Sequence, residues 1–223
     1  MSFIVAIDGP AGSGKGTITK LVGKKMNLES IDTGAMYRCI SLDMIRKNIK
    51  LDEIEKIENL LKTINIELKK DNGVDKFYLN GEDVTTLIRT KEVNEIVSQV
   101  SHILIVREAM VKLQRNIAQN LNIIMEGRDI GTNVFPDADV KIYLDASAEE
   151  RARRRVKQNT EAGISSNYEE ILENIKFRDN NDKTSKVAPL KQAKDAVYVD
   201  TTNMNIEEVV EKIVNIIEKK KNK

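Results

Sequence analysis

Nine consecutive residues, Gly9-Pro10-Ala11-Gly12-Ser13-Gly14-Lys15-Gly16-Thr17, carry the densest chemistry in this chain. Glycines at this spacing let successive backbone N–H groups turn inward toward an anion, and a helix opening at Lys15 adds its N-terminal dipole. Lys15 then supplies a point charge for terminal phosphates. The stretch follows an apolar, β-branched run and precedes a helical pattern containing Ile18, Leu21 and Val22, the strand-to-helix context a phosphate loop requires. It predicts binding of a nucleoside triphosphate without fixing the reaction that follows. The usual motif places Ser or Thr directly after the lysine as a magnesium ligand, whereas here Gly16 intervenes and Thr17 follows. A glycine-rich turn without a ligand is the plainer alternative.

Arginines form the second set. Arg38 stands in the first turns of a helix after Asp32-Thr33-Gly34, and Arg128 follows an expected strand at Asn122–Glu126. Both lie at carboxyl ends of strands, where open α/β sheets bind ligands, and a guanidinium grips phosphate oxygens bidentately. An exposed helix arginine is the alternative at position 38. Glu126, ending its strand, is placed to help hold Mg²⁺ through water, with Thr17 as a second candidate; strand capping is the alternative. Arg151, Arg154 and Arg155 are spaced i, i+3, i+4 on one helix face, with Arg153 pointing elsewhere. Their mutual repulsion is relieved by anionic phosphates; a solvated face paired with Glu149 and Glu150 is the other reading.

The elements that must position these residues alternate. Short apolar runs at Phe3–Asp8, Glu29–Asp32, Asn122–Glu126, Val140–Asp145 and Ala196–Asp200 predict core strands of a parallel sheet. Helical patterns fall at Lys15–Met26, Ala35–Asn48, Glu53–Thr63, Ile103–Gln119, Ala148–Glu161, Tyr168–Asn180 and Ile206–Lys220. Capping boxes are expected at Asn205 with Glu208 and at Ser147 with Glu150. One region breaks the alternation: strands Ile64–Lys69 and Lys76–Leu79 joined by an Asp71-Asn72-Gly73 turn, then Asn80-Gly81 before Asp83-Val84. With a helix at Lys91–Ser101, this reads as a small antiparallel unit inserted near 63–101 into a core formed by 1–62 and 102–223.

Composition narrows the function classes. The 223 residues carry 36 Lys plus Arg against 35 Asp plus Glu, a net charge of +1 that speaks against a general nucleic-acid binder. One cysteine, Cys39 in an apolar helical stretch, rules out a disulfide within the chain and favours a reducing, cytoplasmic setting. One histidine, His102, stands without a nucleophile beside it, and no cluster fits a zinc site. No apolar run approaches the ~20 residues that span a bilayer, so no membrane partner is expected. The closing Lys219, Lys220, Lys221 and Lys223 read as a frayed, solvated helix end.

Several segments, taken together and in order, carry a resemblance. The Gly14-Lys15-Gly16-Thr17 ending is similar to nucleoside monophosphate kinases, and an Asn-Lys-x-Asp guanine motif is absent. Asp32-Thr33-Gly34-Ala35-Met36-Tyr37-Arg38, then Glu126-Gly127-Arg128-Asp129-Ile130-Gly131-Thr132, then Arg178-Asp179 through Asp182 to Val187-Ala188-Pro189-Leu190, with the inserted unit, resemble the bacterial cytidylate kinase family along essentially the whole chain. The resemblance implies a P-loop kinase fold, a five-stranded parallel sheet flanked by helices with an inserted antiparallel nucleotide-binding unit and a helical lid near 150–167. It implies phosphoryl transfer from ATP, with Mg²⁺, to CMP or dCMP by a monomer. By the same resemblance Thr33, Arg38, Ser98, Arg107, Arg128, Asp129, Arg178 and Asp182 bind the acceptor. Ser98 and Asp129 accept from the cytosine amino group, Arg107 donates to N3 and O2, Arg128 holds the phosphate, and Arg178 with Asp182 holds the sugar. The i, i+4 spacing of Arg178 and Asp182 equally supports a helix salt bridge. Lys15, Arg128, Arg151, Arg154 and Arg155 are the implied catalytic group. Ser185 departs from the family, which usually has arginine there; Lys183 and Lys186 flank it. Another small-acceptor kinase of this fold, or a non-catalytic nucleotide sensor, are the rival readings.

Overall fold

The structure, a computed structural model, describes residues 2–71, 74–161 and 163–221. Asn72 and Gly73 of the expected hairpin turn, Ala162 of the expected lid and Lys223 of the basic tail lie outside the described residues.

The first strand, β1 (Ile4–Asp8), leads through the glycine loop into α1 (Lys15–Met26), and β2 (Glu29–Asp32) runs directly into α2 (Thr33–Arg46). Next come α3 (Ile54–Thr63), the antiparallel pair β3 (Ile66–Asp71) and β4 (Val74–Leu79), and short β5 (Glu82–Asp83). A 3-10 turn at Leu87–Arg89 precedes α4 (Lys91–Ser101) and α5 (Leu104–Ile117). The chain then forms β6 (Ile123–Gly127), a π-helical turn at Ile130–Val134, and β7 (Val140–Asp145). Two helices, α6 (Ala148–Glu161) and α7 (Tyr168–Thr184), precede β8 (Val197–Asp200) and α8 (Ile206–Lys221).

The five core strands form a parallel sheet in the order β2-β6-β1-β7-β8, and β3-β4-β5 form a separate sheet. Central β1 is bonded on both sides, with Asp8 in register with Gly127 of β6 and Tyr143 of β7. Val5, Ala6 and Ile7 are wholly buried, which is why this strand reads as an unbroken apolar run instead of an alternating one. From β1 the chain crosses to β2 on one flank and later fills β7 and β8 on the other. That topology opens a ligand crevice at the carboxyl ends of the central strands.

Two compact units result, one of Met1–Ile31 with Ile117–Lys223 and the other of Asp32–Asn116. The core of the first joins Val5, Ile7 and Leu144 of the sheet to Ile18 and Val22 of α1 and Ile213 and Ile217 of α8. In the second, α2 packs on α4 and β4, burying Met36, Ile40, Phe77 and Val93.

Local chemistry moves several boundaries from their expected places. The second helix starts at Thr33, not Ala35, because the Asp32 carboxylate caps it by accepting the Ala35 N–H at 3.0 Å. The helix expected to stop at Asn180 continues to Thr184. Asn205 and Glu208 form both halves of a capping box, at 2.8 and 2.9 Å. Ser147 and Glu150 form only one half: Glu150 N–H donates to Ser147 Oγ at 3.2 Å, but Ser147 N–H donates to Thr202 Oγ1 instead. The Glu150 carboxylate has turned to Arg153 and Arg154. Cys39 is fully buried, and burial pushes its thiol up to about 12, so it serves as a small apolar filler. No helix is long and apolar enough to cross a membrane among the described residues.

Candidate active site

The glycine loop wraps the end of α1 as its composition requires. Gly12 and Gly14 hold φ of 78° and 89°, the left-handed region in which a side chain is strained. Lys15 is buried, its ammonium donating to Pro10 O at 2.7 Å and Ser13 Oγ at 3.4 Å. Burial lowers its pKa to about 7, the Arg128 guanidinium adds to the fall, and Glu126, Asp8 and Asp182 oppose it.

Gly16, the departure from the common motif, lies against a carboxylate. A Cβ there would lie 2.9 Å from Glu126 Oε1, so the carboxylate of β6 occupies the space that a residue-16 side chain would claim. Thr17 beyond it is exposed. One carboxylate beside a phosphate loop suits Mg²⁺, which keeps most of its waters and is shared with nucleotide phosphates. Among the described residues, no three His, Cys, Asp or Glu side chains gather as an all-protein metal cage.

Arg128 follows β6, and its Nε donates to Asp182 Oδ2 of α7 at 3.0 Å. Asp182 is thus paired with Arg128, and not with Arg178 as its i, i+4 spacing allowed. The Arg178 Nε is buried and has no hydrogen-bond partner among the described residues. Burial lowers the pKa of Arg178, and the charges of Arg128 and Arg155 lower it further. Asp129 is buried and accepts from Asn133 Nδ2 at 3.0 Å. Ser185 folds onto its own turn, donating to Val187 O at 2.7 Å, while Lys183 and Lys186 are exposed.

The three arginines of α6 do not share one environment. Arg151 is 3% exposed; its Nε donates to Ala146 O at 2.9 Å, and its Nη1 to Ala11 O of the glycine loop at 3.0 Å. The same guanidinium forms a forked pair with Asp179 of α7, and its stem lies against Gly12. Arg154 is held by Glu150 at 3.0 Å and by Thr201 O at 2.6 Å. Arg155 is exposed and has no hydrogen-bond or ion-pair partner among the described residues. The expected shared face is therefore a gradient from buried to solvated, because Ala11 and Asp179 lie over its first member. Sequence reasoning gave Asp179 and Thr201 no role; their partners are 28 and 47 residues away, and helical spacing carries no signal of that.

The second unit gathers its own set. Arg38 Nη1 donates to Asn94 Oδ1 at 2.5 Å and Ile88 O at 3.3 Å. Asn94 is itself pinned by donating to Arg89 O and Thr90 O. Buried Arg107 lies over the Tyr37 ring at 5.6 Å and donates to Ser101 O at 3.4 Å. Thr33 is buried at the start of α2, and Ser98 is half-buried on α4. Asn94 is the residue here that sequence reasoning missed.

A family model described as Cytidylate kinase matches residues 5–219. The cytidylate kinase of Fusobacterium nucleatum subsp. nucleatum is 53% identical over 220 residues, which is 99% of each chain. That of Bacillus subtilis is 45% identical over 216 residues, 97% of this chain and 96% of the relative. Among solved structures, an uncharacterized protein from Eubacterium ventriosum aligns with 97% of this chain and 99% of its own at a TM-score of 0.51. At 11% identity that is a likeness of fold alone.

Proposed function

The chain belongs to the cytidylate kinase family, and from that premise we propose how its own residues carry an ATP-dependent phosphorylation of CMP or dCMP. The observation that carries the reading is the gathering of cations in the first unit. Burial is the larger cause, and the Arg128 charge adds to it, in lowering the pKa of Lys15; burial, with the charges of Arg128 and Arg155 adding, likewise lowers that of Arg178. Like charges brought this close, three of them on guanidiniums shaped for phosphate oxygens, are relieved by an anion between them.

The acceptor phosphate is already a charged nucleophile, so the reaction asks for positioning and charge stabilisation and not for a general base. In this reading Gly9–Thr17 bind the donor phosphates through backbone N–H groups, and Lys15 neutralises the transferring group. Arg155, free to move, and Arg154 reach the donor from α6. Arg151 acts differently: with its donors on Ala11 O, Ala146 O and Asp179, it fixes the loop from behind. Arg128 binds the acceptor phosphate while Asp182 orients it, and Arg178 binds the sugar or its phosphate. Asp129 accepts from the cytosine amino group. In the second unit Arg38 holds the acceptor phosphate, Thr33 lines its seat, and Ser98 and Arg107 read the base. Glu126 through water, and Thr17, would hold Mg²⁺, whose charge offsets that building on the phosphoryl oxygens. Uracil would leave buried groups mispaired, a loss of about 1–3 kcal/mol.

The test is a coupled ADP-release assay over CMP, dCMP, UMP, AMP and dTMP with ATP and Mg²⁺. Turnover concentrated on CMP and dCMP is expected. Equal rates with UMP sink the cytosine-reading roles, and no turnover with any acceptor sinks the kinase reading.

A further inference from the structure

Asp8 is the last residue of β1 and directly precedes the glycine loop, yet neither phosphate binding nor core packing accounts for it. It is 4% exposed. Oδ1 accepts the N–H of Ile130 at 2.7 Å, and Oδ2 accepts that of Gly131 at 2.8 Å. These donors are the first two residues of the π-helical turn, which opens immediately after Arg128 and Asp129. Successive N–H groups at the start of a helical turn lack partners within it, and a carboxylate is the strongest acceptor available to them.

The seat is tightly fitted. A Cβ on residue 131 would stand 3.1 Å from Lys141 Cδ, a tight approach to a side-chain stem, and 3.4 Å from Asp8 Oδ2, an ordinary contact. The arrangement costs stability. Burial raises the Asp8 carboxyl to about 6 and Asp129 adds to the rise, although both N–H bonds and Lys15 oppose it. A buried carboxylate kept at such a cost, where a neutral side chain would cap more cheaply, points to a demand other than stability.

We propose that Asp8 is a positioning residue for the acceptor: its carboxylate clamps the turn carrying Arg128 and Asp129 to the strand end from which the phosphate loop departs. One residue thereby sets the offset between the loop that holds the donor and the turn that holds the acceptor. The proposal rests on the reading of Arg128 and Asp129 as acceptor-binding residues.

Asp8→Asn preserves shape but leaves one carbonyl for two N–H donors. The expected result is a KM for CMP raised about tenfold or more and a narrowed preference for CMP over UMP, with the KM for ATP within about twofold. Asp8→Glu, which keeps the carboxylate but moves it by one methylene from the two N–H groups, is expected to shift the KM for CMP in the same direction, and it carries the test if Asp8→Asn does not fold. A lowered Tm with unchanged KM for CMP and unchanged base preference in the variants overturns the proposal, as does an equal rise in both KM values. Arg128→Ala is run alongside. If it leaves the KM for CMP unchanged, the acceptor reading fails and takes this proposal with it. If it raises that KM while Asp8→Asn does not, the positioning role alone is overturned.

Discussion

Arg128 and Asp182 form an ion pair at 3.0 Å that ties the residue after β6 to the last turn of α7. The pair withdraws Asp182 from Arg178, one helical turn away. An acidic residue expected to serve the sugar is therefore also bonded to the guanidinium proposed to bind the acceptor phosphate. If Asp182 acted on the sugar 2′-hydroxyl alone, its loss would harm CMP and spare dCMP. With Arg128 dependent on it, Asp182→Ala should raise the KM for both acceptors by roughly 10- to 100-fold, the range expected for a hydrogen bond to a charged group. Steady-state kinetics with the two nucleotides decide the matter: a selective effect on CMP would contradict the orienting role.

Lys15 should exchange a proton when ATP binds. Burial and the Arg128 charge bring its pKa down to about 7, so just above neutrality a large share of the free protein holds an uncharged amine. Below that value the buried ammonium costs folding stability in full, and the cost fades as pH rises toward the ordinary lysine value. Phosphate oxygens favour the ammonium and raise the pKa again. Binding at about pH 8 should therefore take up a proton, and binding well below pH 7 should not. Calorimetric ATP titrations in buffers of different ionisation enthalpy measure the uptake. Lys15→Met should abolish it, and an unchanged proton count in that variant would assign the uptake to another group.

Gly16→Ala places a methyl group 2.9 Å from Glu126 Oε1. The side chain end can swing away, so the fold should survive with a small change in Tm. The carboxylate loses its place beside the loop. The variant, and Glu126→Gln, should need a higher Mg²⁺ concentration for half-maximal rate, with the KM for CMP little altered. Rates titrated with Mg²⁺ at saturating ATP check this. An unshifted Mg²⁺ dependence in both variants would leave Glu126 as a strand cap only.

Much of this was legible in the chain because it is local. The glycine loop, the five apolar strands and the Asn205–Glu208 capping box depend on residues within a few positions of one another. Strand order was not legible, since β6 enters beside β1 only through pairing across more than a hundred residues. The arginine helix shows the limit most plainly. Spacing places Arg151, Arg154 and Arg155 on one face, but what the first two meet is decided by Ala11, Asp179 and Thr201, contributed from elsewhere in the chain. Asp8 was read as the end of a strand for the same reason: its two donors lie 122 and 123 residues away. The Gly16 departure became intelligible only once Glu126 stood beside it.

The Arg151–Asp179 pair separates stability from catalysis most cleanly. Their side chains are 4% and 14% exposed, and the forked contact joins α6 to α7 while a third donor holds the glycine loop at Ala11. Removing one partner strands a buried charge, so Asp179→Ala should destabilise the protein by about 3–5 kcal/mol. Replacing both at once with apolar side chains of similar size removes the stranded charge, so Arg151→Met with Asp179→Leu should recover most of the stability lost by the single variant. It should not recover turnover, because the Ala11 carbonyl still lacks the donor that fixes the loop. Denaturant midpoints and kcat, measured for both single variants and the pair, complete the comparison. Recovery of kcat together with stability would show the pair to be a structural bridge only. Stability restored with kcat still low, and with a raised KM for ATP, would establish Arg151 as the residue that holds the phosphate loop in its working shape.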